Sequence, residues 1–254
     1  MNYGCEGLKA VITGGTSGIG LAAAQKLLQA GAIVYVVGRS LQRGTDAVAQ
    51  LQAETGKEAI FIPCDVSKRE SCQKAMERMR IHAGGNLKLD ILVNSAGIYR
   101  EQMLAEITEK DYDKIFDTNV KGTLMFTQAC VPYMYEDGSI VNVASDAGIS
   151  GNYGCPVYCA SKGAVVAMTK ALALDLAPRI RVNCVCPGDV DTPLLEEQLK
   201  EASYSREDMA SCYPLERIGR AEEIAHVICS LVSPYNSFMT GAIVPVDGGL
   251  TAKG

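Results

Sequence analysis

The sequence predicts an α/β protein: one doubly wound domain built on a parallel sheet. Three observations carry that expectation. Short β-branched or apolar runs recur along the chain, each followed by a helical stretch. The connections between them are short. The first run, Lys9–Thr13, feeds straight into the glycine-rich turn Gly14-Gly15-Thr16-Ser17-Gly18-Ile19-Gly20. Repeated strand–helix alternation of this kind calls for right-handed crossovers and therefore parallel strands. With 254 residues, 48% of them hydrophobic, the chain can bury one sizeable core.

Taken in order, the first helix runs through Leu21, Ala24, Leu27 and Leu28 and closes at Gly31. The second strand, Ile33–Val37, is continuous and β-branched, as expected for a strand buried on both faces. A helix across Ala47, Val48 and Leu51 and a strand Ala59–Ile62 follow. Asp65-Val66-Ser67 then opens a helix, with Ser67 as N-cap and Glu70 as its capping-box partner. Asp90–Val93 is the fourth strand, 106–132 a long helical region, and Ser139–Ala144 the fifth strand. Gly154-Cys155-Pro156 starts a helix, since proline is tolerated in the first turn. Arg181–Cys186, a helix over Ala221–Leu231 and a last strand Ala242–Val246 complete the alternation. Between Pro193 and Pro214 the mixed polar and apolar composition suggests a mobile lid over a substrate rather than a core element. No linker, internal repeat or low-complexity segment divides the chain, so residues 1–254 read as one domain.

Composition narrows the function. The chain carries 24 basic and 29 acidic residues, net −5, with no basic run, which argues against nucleic acid and anionic membrane as partners. No apolar run approaches the roughly 18 residues of a transmembrane helix, and the first eight residues have no signal architecture, so a cytoplasmic protein is expected. The ten cysteines are read as reduced thiols. None falls in C-x-x-C spacing, so Cys155/Cys159 and Cys184/Cys186 are read as small core residues and no metal is expected. A redox role for the first pair stays open because it sits close to the presumed site.

Two motifs carry chemistry. Glycines 14, 18 and 20, between a strand and a helix, allow tight turning and close approach of a pyrophosphate to the helix N-terminus. The spacing is G-x-x-x-G-x-G rather than G-x-G-x-x-G. On the helix that begins near Pro156, Tyr158 and Lys162 lie four apart and so share a face.

Thr13-Gly14-x-x-x-Gly18-x-Gly20, Asn94-x-Ala96-Gly97, Asn119, Ser145, Tyr158-x-x-x-Lys162 and Pro187-Gly188 occur in this order. Together they resemble the short-chain dehydrogenase/reductase family, over about Leu8 to Gly249. The resemblance implies a Rossmann-type domain with a seven-stranded parallel sheet, usually a homotetramer. It also implies hydride transfer between NAD(H) or NADP(H) and an alcohol or carbonyl group.

Hydride addition to a ketone builds charge on its oxygen, so a proton donor must stand within hydrogen-bond reach. By resemblance Tyr158 is that acid, and the base in the oxidative direction. Lys162, with the positive nicotinamide ring, is expected to lower the phenol from its usual value near 10 and to bond the nicotinamide ribose. Ser145, thirteen positions ahead of Tyr158, would bond the substrate oxygen. Asn119 resembles the residue that holds a water behind the lysine, or is simply a solvent-facing or backbone-bonded Asn. The resemblance assigns further cofactor contacts to Thr16, Ser17 and Ile19 in the turn, and to Asn94, Ala96 and Gly97. Asp65 and Val66 would meet the adenine, although Asp65 could equally cap a helix. Pro187 and Gly188 after the sixth strand are further cofactor contacts by resemblance, and Val190 with Thr192 would meet the carboxamide.

At the end of the second strand, an acidic residue would bond the ribose 2′-OH and repel a 2′-phosphate. Gly38 stands there, followed by Arg39, which can bind phosphate in a fork, so NADP(H) is expected over NAD(H). The substrate is a ketone or secondary alcohol of unspecified kind, with a pocket wall of Asp146, Tyr153, Cys155 and Asp189 and a lid of Leu194, Leu195, Leu199 and Tyr204. Two alternatives stay open: a 3-oxoacyl-[acyl-carrier-protein] reductase, and a non-catalytic cofactor-sensing scaffold. Against the carrier stand the acidic stretch Tyr133–Asp137 and Leu174-Asp175-Leu176, which offers no base, although Arg179 and Arg181 lie near.

Overall fold

The computed structural model describes residues 3–253, except for the side chain of Glu201. Seven strands form one parallel sheet: β1 (Lys9–Thr13), β2 (Ile33–Gly38), β3 (Ala59–Pro63), β4 (Leu89–Asn94), β5 (Met134–Val143), β6 (Ile180–Pro187) and, last in the chain, β9 (Ile243–Val246). Their order is β3-β2-β1-β4-β5-β6-β9, so the direction of winding reverses between β1 and β4. Ligands of such sheets bind beyond the strand carboxyl ends at this reversal. Two short strands, β7 (Val190–Asp191) and β8 (Gly219–Arg220), pair apart from the main sheet.

The sheet is buried on both faces because successive residues point to opposite sides. Ala10, Ile12, Val34, Val36, Ile91 and Val93 face α1 (Gly18–Gln29) and α9 (Ala221–Val232). Val11, Tyr35, Val37, Leu92 and Ile140 face the opposite layer, which contains α3 (Arg69–His82), α5 (Gly122–Cys130) and α6 (Pro156–Leu176). Full burial of each Val, Leu or Ile contributes about 1.5–3 kcal/mol, so these two layers fix strand register and with it the carboxyl edge.

Several sequence expectations are corrected. Ser67 does not cap a helix: α3 starts at Arg69 after Lys68, and Ser67 instead donates its N–H and hydroxyl to Asp65 Oδ1 at 3.1 and 2.7 Å. The 106–132 region is α4 (Glu109–Phe116) and α5, joined by a π-helical turn over Asp117–Lys121. The 193–214 stretch contains two helices, α7 (Pro193–Glu201) and α8 (Arg206–Ser211), and contributes Leu195, Met209 and Tyr213 to the buried set. Although no long apolar run stands out in the sequence, the 21-residue α6 reaches a mean hydropathy of 1.3 over an 18-residue window, enough by length and composition to cross a bilayer. It packs one face against β6 and the turn after β5, and 28% of that window is buried.

Candidate active site

At the carboxyl edge, a cleft of about 1290 Å³ runs from the end of β2 across the glycine turn to the start of α6. Its floor begins at β1. Thr13 Oγ1 accepts the N–H groups of Ser95 and Ala96 at 3.1 and 3.2 Å, tying the ends of β1 and β4 together. Gly14 (φ +66) lies so close to that loop that a Cβ would come within 2.8 Å of Ala96 backbone. Gly20 is packed tighter still: its Cβ would sit 2.4 Å from the Gly14 carbonyl, so the turn folds directly back on α1. The resulting cradle, with the α1 N-terminus opening onto it, fits a dinucleotide pyrophosphate. Thr16, Ser17, Gly18 and Ile19 line it, and Thr192 packs over Gly18 from the loop beyond β6.

At one end of the cleft stand Arg39, Asp65 and Val66, joined by two residues that sequence reading missed, Ser40 and Arg43. Ser40 caps α2 (Leu41–Thr55) by accepting the Arg43 N–H at 3.3 Å, so Arg43 lies in the helix's first turn beside Arg39. The signal was present as Gly38-Arg39-Ser40-x-x-Arg43, but a base four positions beyond the strand end is unremarkable without the cap.

At the other end, Ser145, Tyr158 and Lys162 come together. Lys162 Nζ donates to the Val143 carbonyl at 3.0 Å and stands 5.7 Å from the centre of the Tyr158 ring. Tyr99 packs edge-on against Tyr158 with ring centres 4.8 Å apart. Ala96, Gly97, Pro187, Gly188, Val190 and Thr192 also border the cleft. Asn94, Asn119 and Gly20 do not. Asn94 points into the core, donating to Thr127 Oγ1 and Asn142 Oδ1 at 2.9 Å each, because the last strand residue before the loop faces inward. Asn119 lies behind the wall: its amide bonds Ile98 and Ser161.

Burial sets the electrostatics. It lowers the Lys162 ammonium to about 8, with little to offset it. It drives the Tyr158 phenol up; Ser145 pulls the other way, and the charges of Asp146, Cys155 and Asp189 push further up. The protein's own groups thus raise the phenol rather than lower it, because desolvation disfavours the charged phenolate and the nearby carboxylates add to that. Asp146 and Asp189 are likewise raised, chiefly by burial.

Of the expected pocket wall, Asp146, Tyr153, Cys155, Asp189, Leu194, Leu195 and Tyr204 border the cleft, while Leu199 does not. Tyr99, Glu101, Asn152, Gln198 and Tyr213 join them. Tyr204 donates to Glu101 Oε2 at 2.6 Å and accepts from Gln198 Nε2 at 2.8 Å, which ties the 193–214 segment to the loop after β4. Cys155 and Cys159 have sulfurs 3.7 Å apart, and burial pushes the Cys155 thiol up to about 12, so it is a poor nucleophile. Among the described residues, no three His, Cys, Asp or Glu side chains are grouped to hold a metal ion.

A family model described as enoyl-(acyl carrier protein) reductase matches residues 14–251. The 3-oxoacyl-[acyl-carrier-protein] reductase FabG of Thermotoga maritima is 40% identical over 248 residues, covering 96% of this chain and 98% of the relative. The chain belongs to the short-chain dehydrogenase/reductase family. A cyclopentanol dehydrogenase of Comamonas testosteroni is 36% identical over 246 residues, 96% of each chain. Among solved structures, a Brucella melitensis short-chain dehydrogenase/reductase titled glucose/ribitol dehydrogenase superposes with a TM-score of 0.89 at 35% identity, covering 98% of this chain and 99% of that one. The Thermoplasma acidophilum aldohexose dehydrogenase gives 0.86 at 28%, covering 100% and 98%. Family members are oxidoreductases that use nicotinamide cofactors, and this chain is an oxidoreductase acting on CH–OH or C=O groups.

Proposed function

We propose that this protein interconverts a secondary alcohol and a ketone with NADP(H), in the cytoplasm and as a homotetramer. The observation that carries the reading is one cleft holding a half-buried phenol beside a buried ammonium at one end and two arginines at the other. Bound in the cradle, a nicotinamide dinucleotide would supply or accept the hydride. Tyr158, kept protonated by desolvation, hydrogen-bonds the substrate oxygen and delivers its proton to it in reduction, and Ser145 joins that bond once its hydroxyl turns from Asp146 Oδ1. Lys162, anchored on Val143, faces the nicotinamide ribose. Arg39 and Arg43 bind the 2′-phosphate. Asn119 positions the wall behind Lys162. Residues 193–214 act as the substrate lid of one dinucleotide-binding and catalytic domain. A cofactor-sensing scaffold would not need the intact Asn119, Ser145, Tyr158 and Lys162 set.

Tyr158→Phe removes the hydroxyl and keeps the ring. Turnover of ketones should fall on the order of 10²–10⁴-fold, the range for a general acid, with cofactor titration unchanged. Near-normal turnover would defeat the reading.

A second reading, reduction of a carrier-bound 3-ketoester, is favoured by the 40% identity to FabG. The charges weighed against it in the sequence lie at the wrong edge. Glu136 and Asp137 lie in the irregular start of β5, before Ser139 pairs with Ile91, at the amino end of the strand away from the cleft. Arg181 is likewise remote, donating to the carbonyls of Leu231, Ser233 and Met239. The substrate end of the cleft is nonetheless acidic, with Glu101, Asp146, Asp189 and Asp208, and Lys162 as its base. That still favours a free small molecule over an acidic carrier.

A further inference from the structure

The carboxylate of Asp146 is half used. Ser145 ends the extended chain at the carboxyl end of β5, and Asp146 opens the 3₁₀ turn that follows. Oδ1 accepts the Ser145 hydroxyl at 2.7 Å and the Ala147 N–H at 2.7 Å. Oδ2 accepts no hydrogen bond from any described residue, although Asp146 is only 4% exposed and its surface borders the cleft. Oδ2 is therefore left to cleft solvent, and a substrate that displaces that solvent must bring a donor or leave a carboxylate oxygen unpaired.

We propose that Asp146 sets substrate specificity by accepting a hydrogen bond from a hydroxyl on the carbon next to the reacting one, so that the substrate is a vicinal diol or the corresponding α-hydroxy ketone. This rests on the alcohol–ketone reading above. The geometry supplies the spacing. An oxygen bonded by Ser145 lies about 2.8 Å from its Oγ, and the Asp146 carboxylate is the next group along. Because Asp146 Oδ1 is 2.7 Å from Ser145 Oγ, a hydroxyl one carbon from the reacting oxygen is the substrate group placed to pair with that carboxylate, whereas a lone alcohol leaves Oδ2 unpaired. A 3-ketoacyl thioester offers a carbonyl at the neighbouring group, an acceptor facing an acceptor. An ammonium in place of the hydroxyl would also donate, so the amino alcohol is the competing ligand that the test separates from the diol. Further hydroxyls would meet Asn152, Gln198 and Tyr204, which border the same end.

The test compares cyclopentane-1,2-diol, 2-aminocyclopentanol and cyclopentanol as substrates for wild type, Asp146→Ala and Asp146→Asn, with cofactor titration as the check on folding. The readout is the ratio of kcat/KM for diol over cyclopentanol, which cancels any effect of the variants on Ser145. Wild type should favour the diol on the order of 10²-fold or more, as sites built around a substrate hydroxyl do. The ratio should fall to near one in Asp146→Ala and to an intermediate value in Asp146→Asn. A wild-type ratio near one, a ratio unchanged in both variants, or a preference for the amino alcohol over the diol would overturn the assignment while leaving the alcohol–ketone reading standing. Absence of turnover with all three alcohols and with their ketones would instead overturn that reading and this inference with it.

Discussion

Asn119 grips Ile98 through both ends of its amide: Oδ1 accepts the Ile98 N–H at 2.9 Å and Nδ2 donates to the Ile98 carbonyl at 3.0 Å. The second Nδ2 hydrogen goes to Ser161 Oγ at 3.0 Å. One side chain thus joins the loop after β4 to the helix that carries Tyr158 and Lys162. It does so from a π-helical turn, a form that concentrates at functional sites. A positioning role follows from these bonds.

Asn119→Leu keeps the volume and removes all three bonds. The half-buried Ile98 N–H and carbonyl then lose their partner, at up to about 1–3 kcal/mol for each group left unsatisfied, while the Ser161 hydroxyl keeps its bond to the Tyr158 carbonyl. A urea melt should show a loss of several kcal/mol, with turnover reduced as well. Unchanged stability would mean the bonds are replaceable.

Lys162 should trade stability for function. Its folded value of about 8 lies below the usual 10.5, so the buried ammonium costs the folded state. Converted at 1.36 kcal/mol per pH unit, the penalty is roughly 3 kcal/mol, reduced in part by the bond to Val143. The cost is fully present below pH 8. It fades between pH 8 and 10.5, where the unfolded chain binds more protons than the folded one, so stability from this group rises with pH. Lys162→Met should therefore be at least as stable as wild type at pH 7 while losing activity. Its advantage should shrink in melts at pH 10, and a constant difference across that range would reject the buried-ammonium account.

Cofactor preference should depend on both arginines at the end of β2. Arg39→Ala and Arg43→Ala should each lower the NADP(H):NAD(H) ratio of kcat/KM by about 10-fold or more, the scale of losing a charge-assisted bond. Gly38→Asp should swing the ratio the same way at some cost in rate, because its Cβ would come within 2.7 Å of the Thr16 methyl, which must turn aside. A wild-type preference for NAD(H) would reverse the assignment.

The outer face of α6 is unusually apolar for a surface helix. Leu174 is 81% exposed, and Leu124 on α5 is 40% exposed. Such positions fit burial against further copies. Light scattering at micromolar protein should give four times the 27.0 kDa chain mass. A monomeric mass would reject the tetramer.

The sequence by itself determined the strand positions, the glycine turn and the pairing of Tyr158 with Lys162. Each is a contiguous pattern whose geometry the backbone imposes locally: β-branched runs, a strand–glycine–helix junction, and an i, i+4 spacing after a proline start. The placing of Tyr158 beside Lys162 was legible because the helix alone puts phenol and ammonium on one face. Only the tertiary structure decided what each polar group meets. Asn94 turned into the core rather than the cleft, and Asn119 found Ile98 twenty-one residues away. Arg43 joined Arg39, Asp146 kept one oxygen free, and the acidic start of β5 fell at the far edge of the sheet. Those outcomes depend on strand order and register, which bring distant residues together through burial. Composition and spacing do not encode such neighbours one residue at a time.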